Sequence, residues 1–400
     1  MPIPSNRLDQ QVDHRHPVSS TPPVVEESLS PEGMALTMSG GGFRAMLFHV
    51  GVLWRLNELG VLSRLATISS VSGGSITNGM LAASWRKLEF RDGVATAFDR
   101  EVVAPIRQLA ARTIDWQAVL TGWFTFRPIA NVLADIYDEH LFHGVRLQDL
   151  PDDTKGEGPR FVFDATSMQT GELFRFSRRY AGDYMVGRMD SPDFPLSHAV
   201  GSSSAFPPML SPMVIDVAPG SIVRGSGKDL SVEPYTSRLV LTDGGVYDNL
   251  GLEAVWRRFR HLLVSDASAV LLPEPSPGRA WTRQLGRAID TTSAQVRDLR
   301  VRQLMAAYLA PEADAEFWRR GAYWGIAGDI SSFGCPGALE CPPDRTHRLA
   351  SIATRLKSTS ALIQEQLINW GYAACDASMR SWVVPDASPP AGFPYPKSAV

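Results

Sequence analysis

This sequence of 400 residues has few cysteines, a small net charge and no long apolar runs. Three cysteines are too few for a disulfide-built scaffold. A formal net charge of −3 excludes a strongly basic nucleic-acid-binding protein, although it permits a local basic patch. No apolar run reaches the roughly 18–20 residues that a membrane-spanning helix needs. Because the polar residues 1–31 also lack the apolar stretch of a secretory signal, we expect a cytoplasmic protein.

Hydrophobic residues make up 44% of the chain, enough for a sizeable core in one large or two ordinary domains. Residues 1–33 are rich in proline and poor in large apolar side chains, which predicts a disordered or loosely attached segment. From Met34 onward, short apolar runs alternate with helical patterns, which predicts an α/β fold with a mostly parallel central sheet. Residues 87–158 are typical of helices and loops instead, and predict a helical cap-like insertion.

Later segments complete this layout. Two strand-like runs on either side of Gly171, residues 160–164 and 172–176, predict a hairpin. We expect a catalytic domain over residues 34–265, followed by a mainly helical C-terminal region over residues 266–400. Within that region the patterns predict a long helix over 279–309, one or two helices over 346–374, and a loose proline-rich tail over 385–396.

Three glycine-rich turns each follow a predicted strand, at the sheet edge where sites assemble in open α/β folds. The first turn contains Gly40, Gly41 and Gly42, with Arg44 soon after, and opens a helical pattern. Free N–H groups at a helix N-terminus suit a phosphate or a developing oxyanion. The turn lacks the Gly-Lys-Ser/Thr of a Walker loop, and taken alone it is equally well explained by packing.

The second turn places Ser72 between a predicted strand and a predicted helix, as in a nucleophile elbow. Its neighbours are the small residues Ser70, Gly73 and Gly74, which such a sharp turn requires. Ser70 takes the place of the usual first glycine. Short serine–glycine patterns are common, so this turn alone does not identify a nucleophile.

The third turn consists of Asp243, Gly244 and Gly245, after a predicted strand over Ser237–Thr242. Taken alone, Asp243 is more readily explained as a turn or capping residue than as a base. Together, however, the three turns supply an anion stabiliser, a nucleophile and a base, which are the parts that acyl transfer requires.

These motifs, in their order and spacing, resemble the three signatures of patatin-like phospholipases. The resemblance rests on Ser-Gly-Gly-Gly-Phe-Arg at 39–44, Ser-Val-Ser-Gly-Gly at 70–74 and Asp-Gly-Gly at 243–245. Residues 199–207 and 246–251 resemble the segments before and after the family's aspartate. The resemblance covers about 34–265, and it departs from the family at Ala45 and Ser70, where the family usually has glycine.

The resemblance implies a three-layer patatin-like fold and a serine lipid acyl hydrolase that cleaves membrane phospholipids while peripheral to the membrane. It implies Ser72 as the nucleophile and Asp243 as the base that accepts its proton without a histidine. It also implies an oxyanion hole formed by the amides of Gly40–Gly42 and braced by Arg44. No metal or other cofactor is implied, and burial of Asp243 would improve its match as a base by raising its pKa.

Two alternatives to a Ser–Asp pair stay open. One is an α/β-hydrolase with a triad such as Ser72, Asp266 and His347, although an elbow after a single predicted strand argues against it. The other is a catalytically silent module that binds lipid or phosphate. A phospholipase inside a cell endangers its own membranes, so we also expect a ligand or protein partner to gate the activity.

A cluster of large apolar residues in the insertion has two possible roles. It is either an interfacial patch that contacts lipid headgroups or the core of the cap. Its members are Trp116, Val119, Leu120, Trp123, Phe124 and Phe126. The arginines over residues 279–302 similarly predict either a face toward anionic lipid or a solvated face with local ion pairs.

Overall fold

The computed structural model describes residues 30–314 and 316–400. Most of the predicted loose segment 1–33 lies outside these residues. Residues 30–33 already belong to the first strand, which therefore begins before Met34. Within the described part of the chain, no helix is long and apolar enough to cross a membrane.

The secondary structure alternates as the sequence predicts. The strands are β1 (Ser30–Met38), β2 (Leu65–Ser70), β3 (Phe90–Arg91), β4 (Val94–Ala95), β5 (Arg160–Ser167), β6 (Leu173–Phe176), β7 (Tyr180–Asp183), β8 (Gly187–Asp190), β9 (Met213–Asp216), β10 (Arg238–Asp243), β11 (Phe259–Asp266) and β12 (Arg320–Gly325). The α-helices are α1 (Gly42–Glu58), α2 (Gly73–Ser84), α3 (Ala104–Ala110), α4 (Asp115–Thr125), α5 (Ile129–Tyr137), α6 (Leu196–Ser203), α7 (Gly245–Asp248), α8 (Glu253–Trp256), α9 (Trp281–Leu309), α10 (Pro343–Ala350) and α11 (Ala361–Trp382).

In the part of the chain that the structure describes, a mixed sheet of ten strands, flanked by helices, forms the centre of the fold. Its parallel part has the order β12-β11-β1-β2-β5, which confirms the predicted α/β class. Strands β5 and β6 pair antiparallel, so the hairpin around Gly171 is also confirmed. In the register of β1 and β2, Met38 pairs with Ser70. The glycine loop after β1 and the serine turn after β2 are therefore neighbours.

Strand β10 ends at the same edge of the sheet as β1 and β2, but it runs in the opposite direction. The first half of β5 pairs in parallel with β2, and its second half pairs antiparallel with β10. The register pairs Ser70 with Phe163 and Asp243 with Ala165. Unlike β1 and β2, strand β10 therefore runs antiparallel to the strands it pairs with. Asp243 nevertheless ends beside the serine turn because β5 extends beyond the end of β2.

The C-terminal region is built into this core. Strand β12 extends the sheet by pairing in parallel with β11. Helix α11 packs closely on α1, and a buried ion pair of 2.8 Å joins Arg55 to Asp376 between these helices. The proline-rich tail is not loose as predicted, because the Asn369 side chain donates 2.9 Å hydrogen bonds to the carbonyl oxygens of Tyr395 and Ser398.

Candidate active site

Ser72 occupies a strained turn between β2 and α2, with φ 52° and ψ −120°. A positive φ is costly for a residue with a side chain, and it persists only where the surroundings impose it. Here Gly73 packs against the backbone of Gly42, and Gly74 packs against the backbone of Met38. The two glycines after Ser72 thus allow the turn to contact the end of β1 and the glycine loop.

Hydrogen bonds behind the turn hold it in place. The Ser72 N–H donates to the Ser203 carbonyl oxygen at 3.1 Å and to Ser203 Oγ at 3.0 Å. Ser70 Oγ donates to the Val162 carbonyl at 3.1 Å and accepts from Ser75 Oγ and Asn78 Nδ2, both at 2.9 Å. A serine at position 70 is therefore compatible with the elbow because its hydroxyl is fully bonded within the core.

Asp243 is buried at the end of β10, beside the Ser72 turn. Its Oδ1 accepts a 2.7 Å hydrogen bond from the Gly245 N–H. Its Oδ2 accepts no hydrogen bond of normal geometry within the described residues, so it is the oxygen available to the Ser72 hydroxyl. Burial raises the pKa of Asp243 to about 7, while the Gly245 N–H and the Ser72 hydroxyl act in the opposite direction. Gly244 fits closely against the Asp164 carbonyl oxygen.

The glycine loop approaches Ser72 from the end of β1. A Cβ on Gly40 would lie 3.0 Å from the Ser72 Cβ. The Gly40 N–H is already bonded to the Asn249 carbonyl oxygen at 3.1 Å. Among the residues described, the N–H groups of Gly41 and Gly42 have no acceptor. Two of the three amides predicted for an oxyanion hole are thus free, and that of Gly40 is engaged.

Arg44 is buried in the first turn of α1 and binds backbone carbonyl oxygens. Its guanidinium donates to Ala267 at 3.1 Å and also to Ile352. Desolvation lowers the pKa of Arg44 to about 10, although Asp266 acts to raise it. The side chain thus ties the glycine loop to the end of β11 and to the C-terminal region.

Two cavities meet at Ser72. The first, of about 190 Å³, extends past Gly42 and is mainly apolar, with walls from α4 and from the loop after α6. Its walls include Trp116, Val119, Phe206, Pro207, Met209 and Leu356. The second, of about 590 Å³, contains Gly41 and Asp243 and extends along α9, where its walls carry Arg287 and Asp290.

Among the described residues, no histidine lines either of these two cavities. His347 is an exposed residue of α10, and Asp266 is bound to Arg297 at 2.7 Å. His49 is buried between Ser265 Oγ and the Ser39 carbonyl oxygen, and desolvation lowers its pKa to about 4. The geometry therefore gives no support to a triad of Ser72, Asp266 and His347.

The structure also places residues in the site that the motifs alone do not identify. Asn249 Oδ1 lies against both Gly40 and Gly245, and its Nδ2 donates to Ser268 Oγ at 2.8 Å. Asn249 belongs to the stretch 246–251, so the sequence contained a signal for it. Thr354 lines both cavities and Arg355 lines the apolar one. These two residues follow α10, far from any motif, and nothing local in the sequence indicates their position.

The apolar cluster of the insertion is exposed rather than part of a cap core. Trp123 is 78% exposed and Phe126 is 96% exposed, at the end of α4. Trp116, nearer the start of the same helix, is half exposed and lines the apolar cavity. The arginines of α9 instead include ion-paired residues, with Arg297 bound to Asp266 and Arg300 to Glu253.

Comparison with known proteins agrees with this arrangement. The sequence model of the patatin-like phospholipase family matches residues 36–256, which is more than half of the chain. The chain therefore belongs to this family, and its α/β architecture with a helical C-terminal region is the patatin-like fold. No curated protein matches the sequence.

The solved structures that this chain matches include the following two. Human GIVD cytosolic phospholipase A2 has 13% sequence identity and a TM-score of 0.49, over 86% of this chain and 58% of that chain. VipD from Legionella pneumophila has 14% identity and a TM-score of 0.37, over 87% of this chain and 66% of that chain. This chain thus spans less than two thirds of the length of either protein.

Proposed function

We propose that this protein is a serine lipid acyl hydrolase of the phospholipase A type, which cleaves acyl esters of membrane phospholipids. The proposal rests on one observation: Ser72, Asp243 and the free N–H of Gly41 meet in a single cavity. A nucleophile, a base and an anion-stabilising donor are the groups that ester cleavage through an acyl-enzyme needs. Membership of the patatin-like phospholipase family supports the same class of substrate.

The reaction begins with proton transfer from Ser72 to Asp243. Ser72 Oγ attacks the ester carbonyl carbon as the Asp243 carboxylate accepts its proton. The carbonyl oxygen becomes an oxyanion that accepts hydrogen bonds from the Gly41 and Gly42 N–H groups. Such a donor contributes roughly 3–4 kcal/mol to transition-state stabilisation.

Collapse of the oxyanion forms the acyl-enzyme. The ester C–O bond breaks, and the lysophospholipid leaves with the proton that Asp243 holds. In the second half, Asp243 accepts a proton from the water that attacks the acyl carbon. The bond between Ser72 Oγ and the acyl carbon then breaks, Ser72 Oγ takes the proton back from Asp243, and the fatty acid is released. A pKa of about 7 suits Asp243 to both directions of proton transfer near neutral pH.

The two cavities give each part of the substrate a suitable environment. The apolar cavity beside Trp116 and Phe206 accepts the start of the acyl chain. The larger cavity, with Arg287 and Asp290 in its wall, accepts the glycerophosphate and headgroup. This division follows from polarity, since burying methylene groups is favourable only against apolar walls.

The exposed aromatic residues of α4 are the proposed contact with the lipid surface. Aromatic side chains suit the headgroup level of a bilayer. Trp123 and Phe124 lie on the helix whose first turns line the apolar cavity, and Phe126 directly follows it, so docking there brings lipid to the cavity mouth. We further propose that the protein acts from the cytoplasm as a peripheral enzyme.

Phospholipid vesicles treated with the wild type and with Ser72→Ala test this function. We expect fatty acid and lysophospholipid to be released in equal amounts by the wild type only. A fluorophosphonate probe should label the wild type at Ser72 and leave Ser72→Ala unlabelled. Equal release by both proteins would refute Ser72 as the nucleophile. A folded wild type that neither hydrolyses lipid nor reacts with the probe would refute the hydrolase proposal in favour of a silent lipid-binding module.

A further inference from the structure

A segment from outside the family-matched residues lies directly on the glycine loop. We call residues 351–360, between α10 and α11, the strap. The Arg355 carbonyl oxygen accepts a 3.0 Å hydrogen bond from the Phe43 N–H. A Cβ on Gly42 would lie 2.6 Å from that oxygen and 2.9 Å from the Arg355 nitrogen. The backbone at Arg355 is therefore packed against the loop that carries the free amides.

The same strap is attached to the helical insertion on its other side. The Ile114 N–H donates to the Leu356 carbonyl oxygen at 2.9 Å, and the Thr359 N–H donates to Ala110 at 2.8 Å. Next to the first of these bonds, Arg355 Nε donates to Asp115 Oδ2 at 2.6 Å. The Asp115 side chain is 8% exposed and that of Arg355 is 45% exposed, so this ion pair is partly shielded from water.

The attachment has a geometric consequence for the glycine loop. Gly42 has φ 61°, and its N–H has no acceptor among the described residues. The next N–H along the chain, that of Phe43, is bonded to the strap. A shift of the Arg355 backbone would release Phe43 and allow the first turn of α1 to rotate. The direction of the free Gly41 and Gly42 N–H groups would then change, and oxyanion stabilisation depends steeply on that direction.

We propose that Arg355 is a positioning residue, which holds the oxyanion loop in its active geometry through its ion pair with Asp115. This inference rests on the proposed hydrolase activity of Ser72. Asp115 is the first residue of α4, so the pair also connects the loop to the helix proposed to contact lipid. The insertion and the C-terminal region thereby act together on a site built from the family motifs.

The test compares Arg355→Ala, Asp115→Asn and their double variant with the wild type. Asn at position 115 keeps an acceptor for the Trp116 N–H, which Asp115 Oδ1 binds at 2.8 Å. On a water-soluble short-chain ester, we expect each variant to lower kcat about tenfold with KM changed less than twofold, a smaller effect than loss of a whole donor. The double variant should be no worse than either single variant, because both remove the same pair.

Two further variants separate positioning from general structural damage. Arg355→Lys keeps a charge opposite Asp115 and should recover kcat to within about threefold of the wild type. Arg348→Ala removes a nearby arginine whose ion pair with Asp344 is exposed on α10, and it should behave as the wild type. Wild-type kcat in Arg355→Ala, equal losses in Arg348→Ala, or a rise in KM alone would each overturn the proposal.

Hydrogen exchange gives a readout that does not depend on activity. In Arg355→Ala and Asp115→Asn, the amides of residues 43–46 should exchange about tenfold faster, since Phe43 loses its fixed acceptor and the first turn of α1 loosens. Unchanged exchange in those residues refutes positioning by Arg355. If Ser72→Ala proves as active as the wild type, the hydrolase proposal fails instead, and the exchange result still decides whether the ion pair holds the loop.

Discussion

A Cβ atom on Gly73 would lie 2.2 Å from the carbonyl oxygen of Gly42, so the serine turn and the glycine loop are in direct contact. Their relative position is set by backbone against backbone, with no side chain between them. Any residue larger than glycine at position 73 must push the loop away from Ser72. The spacing between the proposed nucleophile and the proposed oxyanion donors therefore depends on this contact.

Gly73→Ala is expected to lower kcat by at least about 100-fold, because a displacement near 1 Å is enough to misalign reacting groups. Overpacking should also lower the free energy of unfolding by about 1–3 kcal/mol. The matched control is Gly286→Ala in α9, where an added Cβ meets no atom of the described residues within 4 Å. It should keep wild-type kcat and gain about 0.5–1 kcal/mol in stability. Wild-type kcat in Gly73→Ala would show that the contact is not needed.

The pH dependence of hydrolysis should report the buried carboxyl group of Asp243. Its pKa is raised to about 7, and only the carboxylate can accept the Ser72 proton. As pH falls below 7, kcat/KM should therefore fall about tenfold per pH unit, and above 7 it should level off. A profile that is flat from pH 5 to pH 8 would contradict the assignment of Asp243 as base.

Asp164 provides a control for that assignment. Burial raises its pKa to about 7 as well, while its Oδ2 accepts a 2.7 Å hydrogen bond from Ser69 Oγ. If protonation of Asp243 causes the fall in kcat/KM below pH 7, Asp164→Asn should show the same fall. Asp243→Asn should remove hydrolysis itself, by at least about 1,000-fold. If the fall in kcat/KM at acidic pH disappears in Asp164→Asn, the titrating group is Asp164 and not Asp243.

The order of elements around Ser72 and Asp243 was predictable because each motif couples an apolar run to a glycine-rich turn. That pattern indicates a buried strand that ends at a site. The direction of β10 was not predictable, since the same local pattern fits a parallel or an antiparallel strand.

The bond between Phe43 and Arg355 joins residues about 310 positions apart, and no local pattern indicates such a pair. Exposure of Trp123 was equally undetermined, because aromatic spacing alone does not distinguish a core from a docking face.

The aromatic end of α4 should matter for lipid in vesicles and not for lipid in solution. Trp123→Ser combined with Phe124→Ser removes two side chains that are 78% and 77% exposed. We expect vesicle hydrolysis to fall about tenfold or more, through weaker binding to the vesicle, because these rings would insert at the headgroup level. Hydrolysis of a monomeric short-chain ester should change less than twofold.

A matched substitution tests whether this effect is specific to α4. Trp382 in α11 is 69% exposed and lines neither cavity at Ser72. Trp382→Ser should bind vesicles as the wild type does in a sedimentation assay. Equal losses in the two proteins would mean that exposed aromatic residues in general promote adsorption. Full vesicle activity in the α4 double variant would place the lipid contact elsewhere.

His347 and Asp266 decide between a Ser–Asp pair and a triad. Asp266 Oδ2 is bonded to Arg297 at 2.7 Å and to the Tyr323 hydroxyl at 2.8 Å. Burial acts to raise the pKa of Asp266, but Arg297 holds that pKa below its usual value, so the carboxylate already has its partner. His347→Ala should therefore keep kcat within about twofold of the wild type, whereas a triad histidine contributes far more. Asp266→Asn should instead lower the free energy of unfolding by about 3 kcal/mol, since it leaves Arg297 without its buried partner. A 100-fold loss of kcat in folded His347→Ala would favour the triad and remove Asp243 from the role of base.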